Sequence, residues 1–376
     1  MIYIVWFALL SAAQGEEFFL DISAPISSGI GATWSFPLYV DSQWMLASGQ
    51  GGDLTVAPFS DDGEVNMVAV QTITDVGEIR DHALRKCPDE SFLYAASTGV
   101  EDDVLVYRFD SDFIETGFDI LPQSEPPIAG NDMAAVCSPS FVGVGVAELQ
   151  GLRDYYWPVD SDGVLGIPIE LAESPRMTGA GIWEEEGRLH VVGRDAKPEL
   201  SLSIYDSDLT LLEQVLIPPI EESIVNYWSS SAIIFDEYIL LLSMGRDPGD
   251  GWPLDTGDVY LGVLSKDFVI QEWVQLTDFP PASGGGMRPW MERHEEQLWV
   301  SYDRGNQVEL ISITLNLEIF EPTEVEPAAE PTTEPSGEPV DTAVDAAKDG
   351  GCAGGLMLPL FFVFLRKRGV NTPAKY

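Results

Sequence analysis

The chain has 376 residues, of which 62 are Asp or Glu and only 19 are Lys or Arg, giving a formal net charge of -43. Phosphate backbones are held by clustered Lys and Arg, so this balance argues against a nucleic-acid partner. It leaves a surface solvated by carboxylates, which favours solubility and says nothing about fold.

The first 15 residues have the plan of a secretion signal. An apolar run, Ile2 to Leu10, is followed by the small residues Ser11, Ala12, Ala13 and Gly15, and Glu16–Glu17 end it abruptly. Such a run is too short to span a bilayer, and cleavage after Ala13 or Gly15 suits the small-residue requirement. No Lys or Arg follows Met1, so the competing reading is a buried first strand.

Residues 17–320 show short apolar runs between Gly, Asp, Ser and Pro turns, with almost no 3.6-residue periodicity, which is an all-β signature. A tight acidic turn recurs at Ser60-Asp61-Asp62, Asp110-Ser111-Asp112, Asp160-Ser161-Asp162, Asp206-Ser207-Asp208 and Ser265-Lys266-Asp267. The third residues of these turns are spaced by 50, 50, 46 and 59, and a degenerate sixth copy lies at Asn316, 49 further on. Asp and Ser favour such turns because their side chains bond nearby backbone amides. Two strand-like runs precede each turn, as in Phe92–Ser97 and Val104–Phe109, and another follows, as in Gly117–Leu121. Four strands in about 45–50 residues make one blade of a β-propeller, so six copies predict six blades. The sixth copy lacks a fourth strand, while an orphan strand, Phe18 to Ile22, lies at the other end. That strand is expected to complete the last blade and close the ring, removing its open edges. A β-sandwich or two smaller β domains is the competing arrangement. The turns match no WD, kelch or sialidase Asp-box pattern, so the repeat identifies no propeller family.

Cys87 and Cys137 are 50 residues apart, one full repeat, and each ends the first strand of its blade. Equivalent positions in adjacent blades are neighbours, and export implies an oxidising setting, so a Cys87–Cys137 disulfide is expected. It would contribute about 3–4 kcal/mol by loop entropy. Two buried free thiols are the alternative.

In a propeller the start of each first strand and the loop between second and third strands share one face. Arg80, Arg176 and Arg288 precede first strands in alternate blades, where they could hold a carboxylate or sulfate by bidentate bonds. Aromatics such as Trp34, Tyr227, Trp228 and Trp290 could stack a sugar ring beside them. Equally, the arginines could pair with Asp81 and Asp132 and the aromatics fill the core. His82, beside Asp81, is the candidate general base. The loop 245–258 offers Asp247, Asp250, Asp255 and Asp258 to Ca²⁺, without the spacing of an EF-hand. His82, His190 and His294 occupy different parts of their blades and make no readable Zn²⁺ site. No cofactor is implied.

From 321 to 351 the chain is rich in Pro, Glu, Thr and Ala, a composition that stays extended and reaches roughly 90 Å as polyproline II. Residues 352–368 follow: Cys352 in a Gly-rich patch, an apolar run from Leu356 to Leu365, then Arg366-Lys367-Arg368. This order resembles the MYXO-CTERM type of surface-sorting tail of myxobacteria. The resemblance implies a membrane-embedded sorting protease as partner and Cys352 as the point of processing or lipid attachment. It departs from that pattern in having one cysteine rather than a pair and eight trailing residues. An ordinary membrane anchor is the alternative. The sequence therefore predicts an exported bacterial surface protein, tethered at its C-terminus. Its propeller binds an extracellular glycan or protein, or else acts as a hydrolase or lyase on an acidic sugar or lactone.

Overall fold

The computed structural model describes residues 18–31, 34–50, 53–75, 79–98, 103–121, 128–148, 153–174, 181–194, 200–220, 225–246, 257–280 and 286–321. The signal 1–15, the linker beyond 321 and the tail 352–368 with Cys352 lie outside these residues.

Two short strands, β1 (Phe19–Ile22) and β2 (Ile26–Ser27), precede six antiparallel sheets. Blade 1 is β3 (Trp34–Val40), β4 (Gln43–Gln50), β5 (Asp53–Phe59) and β6 (Gln71–Asp75). Blade 2 is β7 (Ile79–Lys86), β8 (Phe92–Thr98), β9 (Val104–Phe109) and β10 (Glu115–Leu121). Blade 3 is β11 (Ile128–Cys137), β12 (Val142–Glu148), β13 (Asp154–Pro158) and β14 (Ile169–Leu171). Blade 4 is β15 (Ile182–Glu185), β16 (Arg188–Arg194), β17 (Leu200–Tyr205) and β18 (Leu211–Ile217). Blade 5 is β19 (Val225–Ile234), β20 (Tyr238–Arg246), β21 (Asp258–Ser265) and β22 (Ile270–Gln275). Blade 6 is β23 (Met287–His294), β24 (Gln297–Arg304) and β25 (Gln307–Leu315), with β1 as its fourth strand.

The fold is a six-bladed β-propeller, and its core explains why. Third strands β9 and β17 are buried at every position, because each sheet is sandwiched between two others. The buried apolar side chains form one cluster for each pair of neighbouring blades. The cluster joining blade 6 to blade 1 sets Trp44, Leu46 and Phe59 against Trp299, Val308 and Leu310, with Phe59 edge-on to Trp299 at 5.2 Å. Fully burying one such side chain contributes about 1.5–3 kcal/mol, so the seam is held as the other interfaces are.

The N-terminal segment closes the ring as expected. Phe19 pairs with Leu315 and Ile22 with Ile313 across β1 and β25, and β2 adds Ile26 opposite Leu310. The sixth turn, however, is absent. A short helix, α1 (Leu317–Phe320), follows Asn316 instead, and Asn316 N donates to Phe18 O at 3.0 Å. Phe320 packs among Phe18, Phe235 and Tyr238, so the chain leaves the ring through an aromatic plug.

The five acidic turns join third to fourth strands, and their first residues do the capping. Asp110 Oδ1 accepts from Asp112 N and Ile114 N, Asp160 from Asp162 N and Val164 N, and Asp206 from Asp208 N and Thr210 N, all at 2.8–3.0 Å. The fourth residue of each turn adopts positive φ, whether Gly63 and Gly163 or Phe113, Leu209 and Phe268. This is the hairpin built from a tight turn plus one left-handed residue.

Cys87 and Cys137 are disulfide-bonded across blades 2 and 3, with Cα atoms 4.9 Å apart.

Candidate functional site

The best-defined polar cluster spans the three contiguous blades 6, 1 and 2, at the start of their first strands. In blade 6 a bulge falls between Met287, which pairs with Asp303, and Trp290, which pairs with Ser301. The extra residues include Arg288, held at φ 52°. The bulge re-aims its side chain along the sheet, so that Nη1 donates to Asp303 Oδ2 at 2.8 Å. The guanidinium also lies 5.1 Å over the ring of Trp34 in blade 1. Asp303 is 1% exposed and the Arg288 side chain 16%, so the arginine is the member of the pair that meets solvent. Burial pushes the Asp303 carboxyl up to about 7 against the pull of Arg288, and its Oδ1 has no hydrogen-bond partner.

Blade 2 supplies Asp81 and His82, which are almost fully buried. Asp81 N donates to Ser97 Oγ at 3.0 Å, and Asp81 Oδ1 accepts from His82 N at 2.9 Å. His82 Nδ1 shares a hydrogen bond with Tyr94 Oη, and the His82 ring lies 6.2 Å from that of Trp34. Burial, aided by the charge of Arg288, drives the His82 pKa down to about 3. The ring also rests against the backbone of blade 1: a Cβ on Gly49 would stand 2.3 Å from His82 Cε1. His82 is thus dry, neutral and fastened. It is suited to fixing Tyr94 and Trp34, and poorly suited to taking a proton from a substrate at neutral pH.

The remaining sequence candidates divide between core and residues beyond description. Trp290 is buried edge-on to Phe36 at 4.7 Å with Arg85 over its ring, so it fills the core rather than offering a face to a ligand. Arg176, Asp247, Asp250 and Asp255, and the side chains of Arg80, Asp132, Tyr227 and Trp228, lie outside the described residues. Asp258 is described, and its carboxylate is engaged by the fold. Oδ1 accepts from Thr277 Oγ1 at 2.9 Å and from Phe279 N at 3.0 Å, and Oδ2 from Gln275 Nε2 at 3.2 Å. His190 stacks on Trp183 and His294 on Tyr39, each far along its own blade. Among the described residues no three His, Cys, Asp or Glu side chains converge as a metal site.

Sequence reasoning did not single out Asp303, Arg85 or Glu292. Arg85 of blade 2 donates from Nε to Ala135 O of blade 3 at 3.0 Å, and its guanidinium lies 4.3 Å over Trp290 of blade 6. It therefore links its own blade to blades 3 and 6. Burial raises Glu292 to about 7 despite the pull of Arg85 and Lys86. No sequence signal marked them: Arg85 and Glu292 lie in first strands that already carry several charged residues, and Asp303 lies near the end of a second strand.

No family model matches the chain, and no curated protein matches it. Solved structures similar to it include a DUF4623 family protein from Bacteroides eggerthii, with 10% identity, TM-score 0.49, and 79% of this chain and 76% of that one covered. A gluconolactonase from Xanthomonas campestris is similar at 12% identity and TM-score 0.45, covering 77% of this chain and 89% of that one. A Trypanosoma rangeli sialidase, in complex with sialic acid, is similar at 12% identity and TM-score 0.47, covering 79% and 57%. Likeness at this level assigns neither a substrate nor a site.

Proposed function

We propose that the propeller is a binding or adhesion module that takes an anionic group, a carboxylate or sulfate of a glycan or protein, at Arg288. The observation that carries this reading is the partly exposed guanidinium fixed between Asp303 and Trp34, beside a histidine unsuited to base catalysis. An arginine held on two sides still has N–H groups free in number and planar in arrangement for a bidentate anion. The test is a thermal-shift screen of the chain against uronic acids, sulfated sugars and short dicarboxylates, repeated on Arg288→Gln. Acidic compounds should stabilise the parent, with the shift lost in the variant; an equal shift in both would remove Arg288 from the site.

The hydrolase or lyase reading has one observation in its favour. Burial raises the Asp303 carboxyl to about 7 behind Arg288, so it could move a proton at the mouth only through a group that reaches solvent. Turnover of an acidic glycoside or lactone by the parent, lost in Asp303→Asn, would favour it.

For the chain as a whole we propose export and tethering at a bacterial surface through residues 352–368, by a sorting protease or directly by the membrane. The order of cysteine, apolar run and basic cluster supports this. Cys352→Ala should release the protein into the medium if sorting operates, and leave it cell-bound if the apolar run is a plain anchor.

A further inference from the structure

The disulfide has an unusual neighbour. Arg108, in β9, is 6% exposed, and its Nη1 donates to both sulfurs, at 3.2 Å to Cys87 Sγ and 3.4 Å to Cys137 Sγ. Nη2 donates to Ser91 Oγ at 3.1 Å and lies 3.7 Å from Asp89 Oδ2. The Asp89 side chain is largely in solvent, so its field at the guanidinium is screened, whereas the sulfurs meet the cation at short range. The two cysteines also differ in burial: Cys87 is 4% exposed, while Cys137 is only partly buried.

We propose that this disulfide is a thiol-exchange site, at which an incoming thiolate attacks Cys137 Sγ and Cys87 leaves as a thiolate held by Arg108. One S–S bond forms between the incoming sulfur and Cys137, and the Cys87–Cys137 bond breaks. The bonding pair goes to Cys87 Sγ, and the incoming thiol's proton goes to solvent. The number of disulfides is conserved, so no oxidant or reductant is consumed. A cationic neighbour stabilises a thiolate, and a leaving thiol of lower pKa departs faster. Arg108 already stands at hydrogen-bond distance from the leaving atom, so the charge that develops there needs no rearrangement to be met. Attack is placed at Cys137 because Cys87 is the more buried of the two residues. The partner is a thiol, either a low-molecular-weight one or a cysteine in a flexible peptide.

The full chain would be incubated near pH 7.5 with excess reduced glutathione and, separately, with a short unstructured cysteine peptide. Quenching by acid and alkylation would be followed by peptide mapping, with Cys352 scored separately. The expected product is a mixed disulfide on Cys137 with a free Cys87, and the thiol that produces it identifies the source. Adduct from neither thiol, or adduct on Cys87 in place of Cys137, would overturn the proposal without any variant. Arg108→Gln should slow the exchange roughly tenfold, with Arg108→Lys recovering part of the rate. Equal rates in parent, Arg108→Gln and Arg108→Lys would show that the guanidinium takes no part, and would also overturn it.

Discussion

An arginine and an aspartate 2.8 Å apart, one of them nearly out of water, make opposing demands on a single proton. At Asp303 burial outweighs the ion pair, and the carboxyl titrates near 7 instead of 3.8. The folded state therefore binds this proton more tightly than the unfolded chain. The stability it confers is fully present below about pH 4 and is lost as pH rises toward 7. His82 works in the other sense. Its native pKa of about 3 lies below the ordinary 6.5, so its contribution is present above 6.5 and is lost as pH falls toward 3. The two oppose one another between pH 4 and 6.5, and a pH profile of the parent alone would blur them. Comparison with Asp303→Asn separates them. In urea unfolding, the parent's stability relative to the variant should fall steadily from pH 4 to 7, then level off. A difference independent of pH over that window would mean that Asp303 carries its charge in the fold. None of this was legible in the sequence. His82 was a reasonable candidate base next to Asp81, but its dryness depends on Gly49, Trp34 and Tyr94 closing around it from two blades. Asp303 was invisible because it reaches Arg288 only through a bulge that no local pattern announces.

Among the elements, the turns were the most legible, because their chemistry is local. A residue that bonds amides two and four positions ahead leaves its mark in a five-residue window, and five such windows reveal the repeat. Periodicity drew attention to the third residue of each turn, yet the first makes the bonds. Asp160→Ala should cost about 1 kcal/mol in urea unfolding, and Asp162→Ala less than about 0.5 kcal/mol. Equal costs would mean that the capping assignment is wrong. The disulfide was legible for the same kind of reason: two cysteines one repeat apart occupy equivalent places in adjacent blades. Arg108 above it was not, since its approach to the sulfurs depends on the third strand of blade 2 lying under the joint between blades. The degenerate copy at Asn316 kept the period but not the turn, because with β1 already seated on β25 no fourth strand remained to be joined.

At the scale of the molecule, closure follows from one arrangement of the ends. The strand after the N-terminal segment completes blade 6, and the seam carries an aromatic cluster of its own, as every other pair of neighbouring blades shares an apolar one. A rigid ring of this kind presents the start of its first strands on one face, and the cluster of Arg288, Asp303, Trp34 and His82 draws on three adjacent blades there. A net charge of -43 means that an anionic partner approaches against a repulsive field. The anion binding proposed for the mouth would therefore rest on short-range contact with Arg288 rather than on steering. We propose binding at Arg288 without chemistry. Isothermal titration of the full chain with an acidic oligosaccharide, with the recovered ligand analysed for products, measures both at once. The prediction is saturable binding by the parent, at least tenfold weaker binding by Arg288→Gln, and ligand recovered unchanged. Undiminished binding by the variant, or cleaved ligand from the parent, would contradict it.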